Sequence, residues 1–153
     1  MIRTCLWYDD NALEAAEFYV SLLPNSSIDS VVRTPPDGPV VVVEFTLDGT
    51  PYMGLNGGPR HKLSEAVSIS VPTPDQAETD RLWEALSADG GEEIQCGWVR
   101  DRFGLYWQIV PEIMPRALAS DDREAASRAF QAMLTMTKLD AAALEAAFKG
   151  ENA

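Results

Sequence analysis

Few side chains in this sequence could do chemistry, and their spacing narrows what that chemistry is. The cysteines are Cys5 and Cys96, and His61 is the single histidine. Two cysteines so far apart make neither a CxxC pair nor a zinc-finger spacing, so they read as reduced, partly buried thiols. A nucleophilic Cys96 would need a base or a positive neighbour to lower its pKa. Gln95 and Gly97 flank it instead, so it reads as structural. His61 sits in "PRHK", Pro59 to Lys62, and reads as a loop side chain beside Arg60 and Lys62. Gln108 stands out as an amide among apolar residues in "LYWQIV". A buried amide without partners costs about 1–3 kcal/mol, so it should bond to backbone, water or a ligand. Asn56 is followed by Gly57 and Gly58, which allow close backbone approach to a ligand and equally serve a tight turn. Asp101 and Arg102 of "DRFG" are expected to shape a turn. The first helix begins "DDNALEAAEF", without the GxGxxG pattern that holds a nucleotide-like cofactor.

These residues depend on elements that the periodicity predicts. "RTCLWYDD" alternates as a strand does, and Asp9 or Asp10 can cap the helix that follows. That helix carries Leu13, Ala16, Phe18, Tyr19 and Leu22 at helical spacing and stops at Pro24–Asn25. "SIDSVVRT" reads as a strand and "PPDGP" as a loop. "VVVVEFTLDGTPYMGLNGG" reads as a hairpin on the turn pair Asp48-Gly49. "AVSISVPT" is another strand. "PDQAETDRLWEALSADGG" is a second helix, with Pro74 in its first turn, an apolar face of Leu82, Trp83 and Leu86, and Gly90-Gly91 at its end. At least two strands surround the Asp101–Gly104 turn. The expected class is α+β: two βαβββ modules over residues 1–112, the first 1–58 and the second 64–112. Residues 113–153 form a C-terminal helical extension. There Asp121 or Asp122 caps a helix with Ala125, Ala129, Met133 and Met136 on its apolar side, and Asp140 caps a last helix with Leu144 and Phe148. The methionines read as a packing face.

The chain has 153 residues, enough for one domain or two small modules. Twelve basic against 24 acidic side chains give a formal net charge of −12. Such a chain repels phosphate backbones and anionic membranes, so neither nucleic acid nor membrane is an expected partner. No apolar run approaches the roughly 20 residues of a membrane span. The start "MIRTCLWYDDN" has no signal-peptide pattern, and a cytoplasmic location is expected.

The two-module pattern resembles the vicinal-oxygen-chelate superfamily of glyoxalase I, bleomycin-resistance proteins and extradiol dioxygenases. Within it the chain is similar to the PhnB-like branch, often labelled 3-demethylubiquinone-9 3-methyltransferase-like. The stretches that carry the likeness are "CLWYDDNALEAAEFYVSLLPNSSI", "VVEFTLDGTPYMGLNGGP", "SEAVSISV", "QCGWVRDRFGLYWQIVP" and "QAMLTMTKLDAAALEAAF". The resemblance implies curved sheets whose paired modules enclose a pocket, and commonly a homodimer. The fold alone does not set the chemistry.

In metal-using relatives the ligands come from the first and last strand of each module. That pattern falls near Arg3 and Ala66, and near Met53 and Gln108, within a slip of a residue or two. Arginine, alanine and methionine do not suit a hard divalent ion. No metal site and no cofactor are therefore expected. Period-two alternation extends the family's ligand-bearing face to the pocket candidates Arg3, Cys5, Trp7, Met53, Leu55, Tyr106 and Gln108, with Asn56 added for its glycines. Trp7, Trp98 and Trp107 are also apolar bulk that a small barrel-like core would bury. The expected function is metal-free binding of a small molecule of unknown identity. The alternative is a superfamily lyase, isomerase or dioxygenase with a non-standard metal site, formed for instance by Glu44, Glu65 and His61. Methyl transfer is not expected.

Overall fold

The computed structural model describes residues 1–151. The chain divides into two compact units, Met1–Ser64 and Glu65–Ala153.

The first unit runs β1 (Thr4–Tyr8), α1 (Ala12–Leu22), β2 (Ser27–Arg33), β3 (Val40–Leu47) and β4 (Thr50–Asn56). Its sheet has the order β1-β4-β3-β2, with β1 and β4 parallel and the other pairs antiparallel. The β3–β4 hairpin turns on Asp48-Gly49 with φ of 45° and 79°, the primed turn whose twist matches the flanking strands. Alternation divides the sheet. Leu6 and Tyr8 of β1 and Val43, Phe45 and Leu47 of β3 are buried together with Ala12, Ala15, Ala16, Tyr19 and Leu22 of α1. The small residues of α1 let the helix lie close to the sheet, and Leu13 and Phe18 stay only half-buried to its side. The buried Tyr8 and Tyr19 hydroxyls satisfy one another at 3.1 Å.

Neither Asp9 nor Asp10 caps α1. The N-cap position is Asn11, which makes no side-chain cap bond. The Ala12 N–H donates instead to Asn56 Oδ1 at 2.9 Å, from the end of β4.

The second unit repeats the order: β5 (Ser68–Thr73), α2 (Gln76–Ser87), β6 (Glu92–Glu93), β7 (Trp98–Arg100) and β8 (Tyr106–Pro111). The sheet order is β5-β8-β7-β6, again with first and last strands parallel. Pro74 lies before the cap rather than in the first turn of α2. Asp75 is the N-cap, and its Oδ1 accepts from the Glu78 N–H at 2.8 Å. Leu82, Trp83 and Leu86 of α2 are buried, as are Val99, Trp107 and Ile109 of the sheet. Asp101 is buried and organises the turn before β8. Its Oδ1 accepts from the N–H groups of Phe103 and Leu105, and its Oδ2 from the Trp107 indole at 2.8 Å.

Three helices complete this unit: α3 (Ile113–Leu118), α4 (Arg123–Leu134) and α5 (Ala141–Lys149). Asp122 caps α4 and Asp140 caps α5 through their Oδ1 atoms. A core of Ile113, Met114, Ala117, Ala129, Leu139 and Leu144 holds them together, with Met133, Met136 and Phe148 packed on it. The segment between α4 and α5 is tied to a 3-10 turn at Gln95–Gly97: the N–H groups of Cys96 and Gly97 each donate at 2.8 Å to the carbonyls of Met136 and Thr137. Gln76, in the first turn of α2, grips the same segment through Leu139 O and the Ala141 N–H. Lys138 pairs with Asp80 at 2.8 Å.

Candidate functional site

Each sheet has one face covered by its own helix and one face turned away from it. In the first unit, Cys5, Trp7, Met53 and Leu55 lie on the face away from α1, beside Val42 and Glu44 of β3. The register sets them in rows: Cys5–Met53–Glu44 and Trp7–Leu55–Val42. Arg3, just before β1, reaches across this face as a clasp. Its Nη1 lies 3.0 Å from Asp29 Oδ2 and donates to the carbonyls of Phe45 and Tyr52, while Nε is 3.6 Å from Glu44 Oε1. Bonds donated by the hydroxyls of Ser27 and Thr46, with Arg3 beside them, hold the Asp29 carboxyl below the usual range. Glu44 Oε2 accepts from Ser30 at 3.0 Å. The guanidinium thus joins strands, and its charge is matched within the protein.

Cys5 is solvent-accessible, yet the protein packed around it desolvates the thiolate and raises its pKa. That is opposite to the shift a nucleophilic thiol needs. Trp7 is half-buried. Its indole donates to Gly58 O at 2.9 Å and its ring meets His61 edge-on at 4.8 Å. A Cβ on Gly57 would lie 2.2 Å from the Trp7 ring, so this glycine is required by the indole above it.

Asn56 stands apart from the other candidates. It caps α1, and its Nδ2 donates to the carbonyls of Asp10 and Val40 at 3.2 Å. It lines a groove of about 660 Å³ together with Asp9, Asp10, Glu14 and Glu17. Its amide oxygen and nitrogen both bond to the chain itself.

In the second unit Tyr106 and Gln108 share the face away from α2, as alternation requires. Ser70 is the register partner of Gln108 on β5, and Trp98 is its partner on β7. Gln108 Nε2 donates to Ser68 Oγ at 2.9 Å. Ala66, where the family pattern falls, precedes β5, whose first residue is Ser68. Of the three tryptophans read as core bulk, only Trp107 is fully buried; Trp7 and Trp98 are half-buried on the open faces.

Comparison with known proteins now bears on this arrangement. Residues 1–110 match the model of the 3-demethylubiquinone-9 3-methyltransferase family. The chain belongs to this family. Among solved structures it is similar to the PhnB protein from Bacillus cereus, at 27% identity and a TM-score of 0.66, over 72% of this chain and 98% of that one. Two more distant neighbours share the fold at 13% identity and a TM-score of 0.50. One is a glyoxalase/bleomycin resistance protein from Albidiferax ferrireducens, over 73% of this chain and 98% of that one. The other is the fosfomycin resistance protein FosX from Listeria monocytogenes, complexed with Mn(II) and sulfate, over 72% of this chain and 88% of that one. Comparison with curated proteins gives no match.

A manganese-bearing neighbour raises the question of whether this PhnB-like chain has the donors for such an ion. Hard divalent ions take carboxylate and imidazole. The β1–β4 rows supply thiol, indole, thioether and alkyl groups, and the β5–β8 rows supply hydroxyls and one amide. These residues do not fit a hard divalent metal. Glu44 is engaged with Ser30 and Arg3, His61 lies against Trp7, and Glu65 is exposed ahead of β5. Among the described residues no three His, Cys, Asp or Glu side chains form a group able to hold a metal ion.

Ser68, Ser70 and Trp98 did not emerge from the sequence as neighbours of Gln108. Alternation in "SISV" marks both serines as sharing a face, but only strand register sets them beside the amide.

Proposed function

We propose that this PhnB-like protein binds a small molecule on the open faces of its sheets, without a catalytic divalent metal. The observation that carries this reading is the composition of those faces. Cys5, Met53 and Leu55 in one unit, and Tyr106 and Gln108 in the other, stand where strand alternation turns them away from the core, among apolar and neutral polar groups and charges that are paired within the protein, Arg3 with Asp29 and Glu44 and Arg100 with Glu92. Binding sites combine apolar surface with a few placed polar groups, and these rows have that character. Arg3 serves the site indirectly, by holding the strands that present the others. The family's methyltransferase description is not extended to this chain, because no loop in it has the glycine-rich form that cradles a nucleotide-like cofactor.

The decisive measurement is elemental analysis of purified protein with calorimetry. No stoichiometric metal and no heat with S-adenosylmethionine are expected. One tightly bound equivalent of metal, or saturable binding of S-adenosylmethionine, would overturn the reading.

A further inference from the structure

The open face of the second sheet names a ligand chemistry. Gln108 is half-buried on β8, with Ser70 and Trp98 beside it in register and Tyr106 two residues along the same face. A primary carboxamide carries two N–H donors and an oxygen with two lone pairs. The bond to Ser68 Oγ uses one of those hydrogens. The second Nε2 hydrogen, Oε1 and the Ser68 hydroxyl hydrogen remain, and no bond from them is made to any described residue. Among the described residues no buried side-chain nitrogen or oxygen lacks a partner, so Oε1, which makes no such bond, is open to solvent. The pair therefore offers a donor and an acceptor side by side.

The charges around this edge narrow its partner further. On the same face Arg100 is paired with Glu92 at 3.1 Å, and the neighbours of Gln108 in its row are uncharged. No unmatched cation is present in the row to hold a carboxylate or phosphate, and no carboxylate to hold an ammonium. Trp98 and Tyr106 supply aromatic faces, on which flat rings stack. A neutral ring with a cis-amide edge meets all these features at once: its N–H donates to Oε1, and its carbonyl accepts from Nε2 or from Ser68.

We infer that Gln108 and Ser68 form a recognition edge for a neutral cyclic amide, such as a lactam or a pyridone- or pyrimidinone-type ring. This rests on the proposal that the open face is the binding surface. Side-chain amide NMR of ¹⁵N-labelled full-length protein tests it, with the Gln108 NH₂ signal assigned by its loss in Gln108→Met. Titration with 2-pyridone should shift that signal saturably, whereas N-methyl-2-pyridone, whose edge is blocked, should bind at least about tenfold more weakly. Gln108→Glu, checked for an unchanged backbone spectrum, should lose the same factor for 2-pyridone. Equal binding of the N-methylated ring, or unchanged affinity in Gln108→Glu, would overturn the amide edge. Shifts at Trp98 and Tyr106 produced by cyclohexanol but not by 2-pyridone would also overturn it, while leaving small-molecule binding on this face intact. If 2-pyridone moves no signal on this face, the amide edge falls, while the metal and S-adenosylmethionine measurements decide the broader reading separately.

Discussion

At the scale of single residues, Asn56 holds parts of the first unit together. Asn56 caps α1 and ties Asp10 and Val40 to the end of β4. Asn56→Ala removes an acceptor and two donor contacts, so it should cost about 1–3 kcal/mol in urea denaturation. Asn56→Asp, which keeps the cap but not the donors, should fall between. Gly57→Ala places a methyl inside the Trp7 ring position. The indole must then leave Gly58, with an expected loss of about 1–3 kcal/mol and a changed tryptophan emission. Asp29 sets an acid limit on the first unit. Its folded pKa is depressed by Ser27, Thr46 and Arg3, below the roughly 3.9 of an unfolded aspartate. Its stabilisation is therefore complete above that value and is lost as pH falls through the lower, folded one. Urea midpoints measured from pH 5 to 2 should decline less steeply in Asp29→Asn than in the wild type. The sequence could not reveal the role of Asn56. The glycines after it suggested approach to a ligand, but its partners lie at Asp10, Ala12 and Val40, where only the folded sheet brings them near. Gln108 was legible because a polar residue in an apolar strand carries its own signal.

At the scale of elements, the order of strands and helices was readable from alternation, helical spacing and turn pairs, and Asp140 and the Asp48-Gly49 hairpin stand where those signals put them. The short strands β6 and β7 were not separable in sequence, because Cys96 interrupts them with a left-handed backbone at φ 63°. That conformation costs a side-chain-bearing residue about 1–2 kcal/mol. Cys96→Gly should accordingly raise stability by about 1 kcal/mol or leave it unchanged; a clear loss would mean that the thiol's packing outweighs the relieved backbone. Leu139 is fully buried in the core that joins the extension to the unit. Leu139→Ala should cost about 2–5 kcal/mol, read as a lower thermal midpoint.

At the scale of the whole molecule, the family model spans residues 1–110, so α3, α4 and α5 lie beyond the stretch it matches. No helix among the described residues is long and apolar enough to cross a membrane. A homodimer is expected in solution, as the superfamily resemblance implies, and analytical ultracentrifugation should give twice the chain mass of 16.8 kDa; a monomer at micromolar concentration would count against it. The strap that joins Met136 and Thr137 to the turn at Cys96–Gly97 also bears on how the chain comes off the ribosome. Every partner of the first sheet has been synthesised by about residue 64, so that unit can close while the rest is still being made. The second sheet's turn waits for carbonyls some forty positions downstream, and Leu139 and Leu144 arrive later still. A nascent chain paused soon after Pro111 would therefore carry a finished first unit beside an unfinished second one, with the surface meant for the last helices open to chaperones and proteases.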